Sequence, residues 1–189
     1  MTFGQKPTVL IVPGLGNSLE DHWQTAWERE RTDCVRANLG DWDNPTPTQW
    51  IERLDTAIKT LPGFVVIAAH SLGCILTSVW ARASASHNRV IGALLVAPCD
   101  AEAAEAPAPL RRFAPIPRAP FPFPTTVVAS ADDAFAGLAR SREFAANWGS
   151  TFVNVGRAGH INAQSNLGCW QRGQDLLNGL LVPRQELRL

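Results

Sequence analysis

Ser71 is the residue whose surroundings point most directly to chemistry. It stands in the sequence Ala69-His-Ser-Leu-Gly73, after the apolar run Phe64–Ala69 and before a segment with a helical pattern. This order predicts a tight turn from a buried strand into a helix, which strains the serine backbone and lifts its hydroxyl above the sheet. The small residues on either side let the neighbouring backbones pass. The pattern therefore favours a nucleophilic serine over the alternative, an ordinary helix cap.

A nucleophilic serine needs a general base, and two histidines follow it in the chain, His87 and His160. His160 comes just after the apolar run Thr151–Val155, so we expect it at the C-terminal edge of a parallel sheet, where such sheets place their sites. His87 precedes a predicted strand and should lie at the opposite edge. We therefore predict His160 as the base, the alternative being a solvated loop histidine.

An acid should orient that base from the loop after the run Thr125–Ala129. Two aspartates, Asp132 and Asp133, stand in this loop, and Asp100 is a more distant alternative. The residues alone leave the choice between Asp132 and Asp133 open. The one that does not orient the base is expected to cap the turn or the following helix.

A serine nucleophile also needs hydrogen-bond donors for the oxyanion that forms when it attacks a carbonyl group. The backbone N–H of Leu72, at the start of the helix, is one predicted donor. The glycine-rich loop after the first apolar run offers the second, with the Leu15 amide preferred and those of Gly16 and Asn17 as alternatives. This loop lacks the spacing of phosphate-binding loops, so nucleotide binding is not expected. The candidate substrate contacts are Gly14, Gly16, Asn17, His22, Phe113 and Ile116.

Short apolar runs alternate with helical patterns along the chain, which predicts a mostly parallel sheet of five to six strands with helices on both faces. The predicted strands are Thr8–Val12, Phe64–Ala69, Val90–Ala97, Thr125–Ala129 and Thr151–Val155, with Cys34–Ala37 as a weaker candidate. The predicted helices are 72–84, 138–147, 167–181 and one that begins at Pro47, with Thr46 and Gln49 as a capping box. A further helix begins at His22 and Trp23, unless His22 contacts substrate.

Residues 107–124 contain seven of the fourteen prolines. The strands and helices that follow this segment are needed by the sheet, so a domain boundary is not expected there. One interpretation is a stiff extended crossover that runs over the surface. The other is a wall or lid of the site, with Phe113 and Ile116 facing the substrate.

The composition bounds the class of protein. Seventeen basic and seventeen acidic residues give a formal net charge of zero, which argues against a nucleic-acid or membrane-surface partner. No apolar run approaches the roughly 20 residues of a membrane span, and the polar N-terminal residues favour a cytoplasmic protein. The four cysteines lack paired spacing, so neither a metal nor another cofactor is expected. We expect 189 residues to form a single domain, 1–189, present as a monomer or homodimer.

A resemblance to a known family is carried by the motifs Val9-Leu-Ile-Val-Pro-Gly14, Glu20-Asp-His-Trp23, His70-Ser-Leu-Gly73, Ser130-Ala-Asp-Asp133 and Gly159-His-Ile-Asn162. Over nearly its whole length the chain resembles the α/β-hydrolase superfamily in a compact, capless form, and most closely the YdeN / retinoblastoma-binding-protein-9 family of serine hydrolases. The resemblance implies a three-layer sandwich and a catalytic triad of Ser71, Asp133 and His160, and it thereby favours Asp133 over Asp132. Ala134 stands where family members often carry proline.

The expected activity is therefore hydrolysis of an acyl bond in a small molecule, an ester or a related thioester or amide, through an acyl-enzyme. Two alternatives remain open. One is a non-catalytic binding or regulatory protein on a hydrolase scaffold, because a fold does not fix a function. The other is an acyltransferase that uses the same triad.

Overall fold

The computed structural model describes residues 6–181 of the chain. Its sheet has six strands, all parallel: β1 (Thr8–Val12), β2 (Cys34–Arg36), β3 (Val65–His70), β4 (Val90–Val96), β5 (Thr125–Ala129) and β6 (Thr151–Asn154). The α-helices of this part of the chain are α1 (Trp23–Glu30), α2 (Pro47–Thr60), α3 (Leu72–Ala83), α4 (Ala108–Arg111), α5 (Leu138–Trp148) and α6 (Gln171–Leu181). None of these helices has the length and apolar character needed to cross a membrane. The predicted α/β class is confirmed.

Helices cover both faces of the sheet because the central strands are apolar on both faces. Alternate residues of β1 belong to opposite sides: Leu10 and Val12 lie in one buried cluster, whereas Val9 and Ile11 lie in the other. Helices α2, α3 and α5 contribute to the first cluster, and α1 and α6 contribute to the second. The result is the predicted three-layer sandwich.

The structure corrects one predicted helix start and one predicted capping box. Helix α6 begins at Gln171 rather than at residue 167, because Gly168 and Trp170 have φ angles of 53° and 38°, which a right-handed helix cannot contain. Helix α2 begins at Pro47 as predicted. The Thr46 side chain makes no hydrogen bond to the helix, however, so the predicted capping box is wrong.

The connection between β4 and β5 contains the proline-rich segment 107–124 and the short helix α4. Three hydrogen bonds tie the proline-rich segment to its surroundings. Arg112 donates to the Asn44 side chain (2.7 Å), the Ile116 amide donates to the Glu102 carboxylate (2.9 Å), and the Trp148 indole donates to the Pro117 carbonyl (2.8 Å). The segment is therefore a fixed crossover.

The strand order, β2-β1-β3-β4-β5-β6, locates the site. The chain passes from β1 to β2 on one side and then to β3 on the other side. The connections after β1 and β3 therefore diverge and leave a crevice at the C-terminal edge of the sheet. Ser71 follows β3 directly, and the loop with Leu15 follows β1, so both border this crevice.

A close backbone contact joins the start of α3 to the end of β1. A Cβ atom at Gly73 would lie 2.3 Å from the Val12 carbonyl oxygen and 2.6 Å from that of Pro13. No side chain fits at such distances, so only glycine lets the helix begin this close to the strand. A Cβ atom at Gly14 would lie 2.9 Å from the Ser71 Cβ, so the same restriction applies from the loop.

Gly73→Ala should lower the free energy of unfolding by about 3 kcal/mol, because the added methyl group would have to displace backbone atoms. Chemical unfolding followed by tryptophan fluorescence measures this change. Gly179→Ala in α6 is the matched control: a Cβ atom there has no neighbour within 4 Å, and alanine favours the helix by about 1 kcal/mol. A Gly73→Ala protein as stable as the unchanged protein would contradict this account.

Candidate active site

Ser71 has a backbone conformation that serine adopts only under constraint. Its φ and ψ angles are 53° and −121°, outside the regions that L-residues prefer. The Ser71 amide donates to the Val96 carbonyl (3.0 Å), and the Cys74 amide donates to the Ser71 carbonyl (3.0 Å). The Ser71 side chain makes no capping hydrogen bond to α3, so the helix-cap alternative is wrong.

A chain of hydrogen bonds runs from Ser71 through His160 to Asp133. The Ser71 Oγ lies 2.9 Å from His160 Nε2, and His160 Nδ1 lies 2.9 Å from both carboxylate oxygens of Asp133. Because a carboxylate only accepts, Nδ1 carries the proton and Nε2 is free to accept from the serine. The Phe135 amide also donates to Asp133 Oδ1 (2.8 Å), which fixes the carboxylate. The side chains of His160 and Asp133 are 10% and 2% exposed, so water has little access to their bond.

Asp132 has different partners from Asp133. It accepts from the Ser130 hydroxyl (2.8 Å) and from the Gly159 amide (2.9 Å). These bonds, that of Ser130 first, hold the pKa of Asp132 below its usual value. Asp132 therefore ties its own loop to the loop that carries His160, instead of capping a turn or helix as expected.

Two further histidines, His70 and His22, lie behind His160. His70 Nε2 donates to the His160 carbonyl oxygen (2.9 Å), and the His70 ring centroid lies 4.9 Å from that of His160 and 4.7 Å from that of His22. Burial, followed by the Arg36 charge, lowers the pKa of His22 to about 3. Burial, followed by His160, lowers the pKa of His70 well below its usual value. Both rings are therefore neutral near pH 7.

The structure gives His22 a structural role. Its Nδ1 accepts from the Gln24 amide (3.1 Å), so the side chain begins helix α1. Only 4% of the residue is exposed, which leaves little surface for a substrate. The helix-start interpretation of His22 is therefore favoured over a substrate contact.

The amides of Leu15 and Leu72 have no acceptor among residues 6–181, although they belong to adjoining loops. The alternatives in the first loop are occupied: the Gly16 and Asn17 amides donate to carbonyl oxygens at 2.9 and 3.2 Å. A Cβ atom at Gly14 would lie 3.2 Å from the Leu72 nitrogen, so the two loops meet beside the serine. Leu15 and Leu72 thus offer two N–H groups that a bound ligand could use.

The other predicted substrate contacts of the loop differ in their surroundings. The Asn17 side-chain oxygen accepts from Arg36 Nη1 (2.8 Å), so this side chain has a structural partner. Gly16 faces open space, since a Cβ atom there would have no neighbour within 4 Å.

The distant candidate acid, Asp100, binds Arg140 in an ion pair (3.0 Å).

Phe113 and Ile116 lie in the core. They are 2% and 3% exposed, and the Phe113 ring centroid lies 5.6 Å from that of Trp50. The prediction that they face the substrate is therefore corrected: both side chains hold the crossover against the underlying helices.

Phe135 is a site residue that the sequence analysis missed. Its ring centroid lies 4.3 Å from that of His160, yet 46% of the residue is exposed. The available signal was its position two residues after Asp133, in the loop that had to carry the acid.

Within residues 6–181 no group of three His, Cys, Asp or Glu side chains is arranged to hold a metal ion. The four cysteines are unpaired. Burial raises the pKa of Cys99 to about 12 and that of Cys74 well above its usual value, so both thiols stay protonated.

The arrangement suits nucleophilic chemistry at a carbonyl group. His160 can remove the Ser71 proton as the hydroxyl attacks, and a carboxylate already holds the imidazole in the required tautomer. The free amides of Leu15 and Leu72 can stabilise negative charge that develops on the carbonyl oxygen.

The chain is similar in sequence and fold to known hydrolases. The serine hydrolase family model matches residues 9–179. A YdeN-like hydrolase from Pectobacterium atrosepticum is 28% identical, with a TM-score of 0.82 and 94% of each chain covered. The ydeN gene product of Bacillus subtilis is 19% identical, with a TM-score of 0.72 and coverage of 92% of this chain and 98% of that one. Est1E from Butyrivibrio proteoclasticus, with bound ferulic acid, is 12% identical, with a TM-score of 0.68 and coverage of 93% and 89%. No curated protein has a matching sequence. The predicted similarity to YdeN-like α/β-hydrolases is confirmed.

Acidification should destabilise the protein, because His22 and His70 stay neutral when folded but bind protons when unfolded below about pH 6.5. The free energy of unfolding is therefore highest above this pH, and it falls as the pH drops towards the lower pKa values that the two histidines have in the folded protein. Each histidine contributes to the slope of the free energy of unfolding against pH, by an amount that approaches about 1.4 kcal/mol per pH unit. Urea unfolding between about pH 6.5 and 4.5 measures the slope.

His22→Gln should reduce this slope by the share of one histidine. His87→Gln is the matched control for the loss of a histidine, because His87 lies before β4 and outside the stack of His22, His70 and His160. If the His22→Gln protein had the same slope as the unchanged protein, the claim that His22 binds a proton only on unfolding would be contradicted.

Proposed function

This chain belongs to the serine hydrolase family, and we propose that it hydrolyses the acyl bond of a small molecule, a carboxylic ester or a related thioester or amide. Ser71 is the nucleophile, His160 the general base and acid, and Asp133 the group that orients His160. The observation that carries the proposal is the chain of 2.9 Å contacts from the Ser71 hydroxyl through His160 to Asp133. This geometry meets the requirements for an activated serine.

Acylation begins when Ser71 Oγ attacks the carbonyl carbon and His160 Nε2 takes its proton. The imidazolium that forms is stabilised by the Asp133 carboxylate through the Nδ1–H bond. The tetrahedral intermediate then collapses: the bond to the leaving group breaks, and His160 Nε2 gives the proton to the departing oxygen, sulfur or nitrogen. The acyl group remains as an ester on Ser71.

Deacylation repeats these steps with water. His160 Nε2 removes a proton from a water molecule, whose oxygen attacks the acyl carbon. The second tetrahedral intermediate releases the carboxylic acid, and the proton returns from His160 to Ser71 Oγ. No cofactor enters this mechanism.

The amides of Leu15 and Leu72 form the oxyanion hole of this mechanism. Neither amide has a partner among the described residues, and the second lies at the N-terminus of α3, whose dipole also favours negative charge. A donor of this kind contributes about 10²–10³-fold to the rate. Two bonds that position His160 support the proposal as well, the Asp132–Gly159 bond and the bond from His70 to the His160 carbonyl.

Ser71 should react covalently with a fluorophosphonate probe, because the probe phosphorylates a serine that a neighbouring base activates. Ser71→Ala should abolish both labelling and ester turnover, and His160→Ala should reduce both by at least about 10⁴-fold. Intact-protein mass spectrometry detects the adduct, circular dichroism verifies that each variant is folded, and heat-denatured protein is the negative control. A folded protein that stays unlabelled would favour the non-catalytic alternative.

Asp133→Asn should reduce turnover by about 10⁴-fold, because an amide no longer holds His160 in the tautomer that accepts from serine. Asp132→Asn is the matched control at the neighbouring residue. It weakens the hydrogen bond to the Gly159 amide and should reduce turnover much less. Steady-state kinetics on one ester measures both. Equal losses in the two variants would contradict the assignment of Asp133 as the acid.

A further inference from the structure

Phe135 is a large apolar side chain left exposed beside the reacting groups. The described residues contain four large apolar side chains that are exposed to solvent, which are Leu19, Val35, Phe64 and Phe135. Phe64 immediately precedes β3 and therefore lies at the opposite, N-terminal edge of the sheet. Phe135 instead lies at the edge that carries Ser71, with its ring centroid 4.3 Å from that of His160 and a 38° angle between the ring planes.

The backbone of Phe135 is held firmly. Its amide donates to Asp133 Oδ1 (2.8 Å), and its carbonyl oxygen accepts from the Asp100 amide (3.0 Å). The ring is therefore presented to solvent by a fixed loop. One part of the ring covers His160, and the exposed 46% of the residue is available for contact with a ligand.

The direction of the chemistry decides which part of a substrate reaches this ring. The carbonyl oxygen of the substrate points to the amides of Leu15 and Leu72, whereas the leaving atom must approach His160 Nε2 to receive its proton. A group attached to the leaving atom is therefore carried to the His160 side of the serine, which is the side that Phe135 covers.

We propose that Phe135 forms the leaving-group subsite, and that the enzyme prefers esters whose alcohol portion is aromatic. The inference rests on the proposed function and adds a substrate class to it. Ala134 and Ala136, on either side of Phe135 in the chain, carry no charge, and the side chain of Asp133 is only 2% exposed, so the ring offers an uncharged aromatic group a surface for stacking. Aromatic pairs prefer offset or edge-to-face contact at such exposed faces.

Comparing acylation with deacylation distinguishes binding of the leaving group by Phe135 from a general effect of Phe135 on His160. The leaving group contacts the enzyme only until acylation, and the acyl-enzyme is the same whichever ester produced it. A residue that binds the leaving group therefore affects acylation and leaves deacylation unchanged. A residue that merely supports His160 affects both, because His160 also activates the water.

The test compares phenyl acetate with hexafluoroisopropyl acetate, which share an acyl group and have leaving alcohols of comparable acidity, one aromatic and one not. The variants are Phe135→Ala, Phe135→Leu and the matched surface control Phe64→Ala. Steady-state kcat/KM reports acylation, and single-turnover decay of the acetyl-enzyme reports deacylation. A second pair of esters, with the same two alcohols and longer acyl chains, tests the acyl side.

We expect the unchanged protein to prefer the phenyl ester. Phe135→Ala should lower kcat/KM for phenyl acetate about tenfold, leave hexafluoroisopropyl acetate within about twofold and leave deacylation and the pH profile unchanged. Phe135→Leu should retain part of the preference, and Phe64→Ala should retain all of it.

Equal losses on both esters with slower deacylation would overturn the subsite and make Phe135 a support of His160. If the loss of kcat/KM in Phe135→Ala depended on acyl chain length, Phe135 would bind the acyl group, and the leaving-group subsite would be overturned. Turnover and probe labelling without a phenyl preference would overturn the subsite while the proposed function stands. Neither turnover nor labelling of Ser71 would overturn the proposed function and the subsite with it.

Discussion

The backbone contact between Gly73 and the carbonyl oxygens of Val12 and Pro13 is the constraint on which the rest of the site depends. Because no side chain separates them, α3 begins directly against the end of β1, and β3 must turn into the helix at the single residue Ser71. That turn produces the positive φ angle of Ser71 and directs its hydroxyl and the first amide of α3 towards the same crevice. Such backbone strain costs about 1–3 kcal/mol and is offset by the burial of most of α3.

The proposed acid and base, Asp133 and His160, follow β5 and β6 further along the sheet, so their loops have to be joined. Asp132 accepts from the Gly159 amide, and Ser130 accepts from the Ala158 amide (2.9 Å), which link the loop after β5 to the loop after β6. From the centre of the sheet, His70 binds the carbonyl of His160. The base is thus held from two directions while its ring remains free to exchange a proton. Side chains that take no part in the chemistry supply most of this positioning.

What could be predicted from the sequence depends on how local each cause is. Ser71 and the strands could be predicted, because small neighbours and apolar runs act over a few residues. Asp132 and Asp133 are adjacent, and only the resemblance to a family separated them, since their different partners come from a distant loop. Phe113 was misplaced because proline-rich composition indicates an extended backbone without indicating which way its side chains turn. Phe135 was missed because the exposure of an aromatic ring is a property of the folded chain.

The fixed crossover between β4 and β5 has a consequence for the fate of the proposed acyl-enzyme. Hydrogen bonds to Asn44, Glu102 and Trp148 hold this segment, and its side chains Leu110, Phe113, Ile116 and Phe123 are buried, so we expect it to stay in place during a catalytic cycle. A segment that stays in place provides no closure step that excludes solvent, and no binding energy is spent on moving it. In the proposed mechanism, the ester on Ser71 would therefore meet water as its most abundant acceptor, and competition among acceptors would favour hydrolysis over transfer to another alcohol.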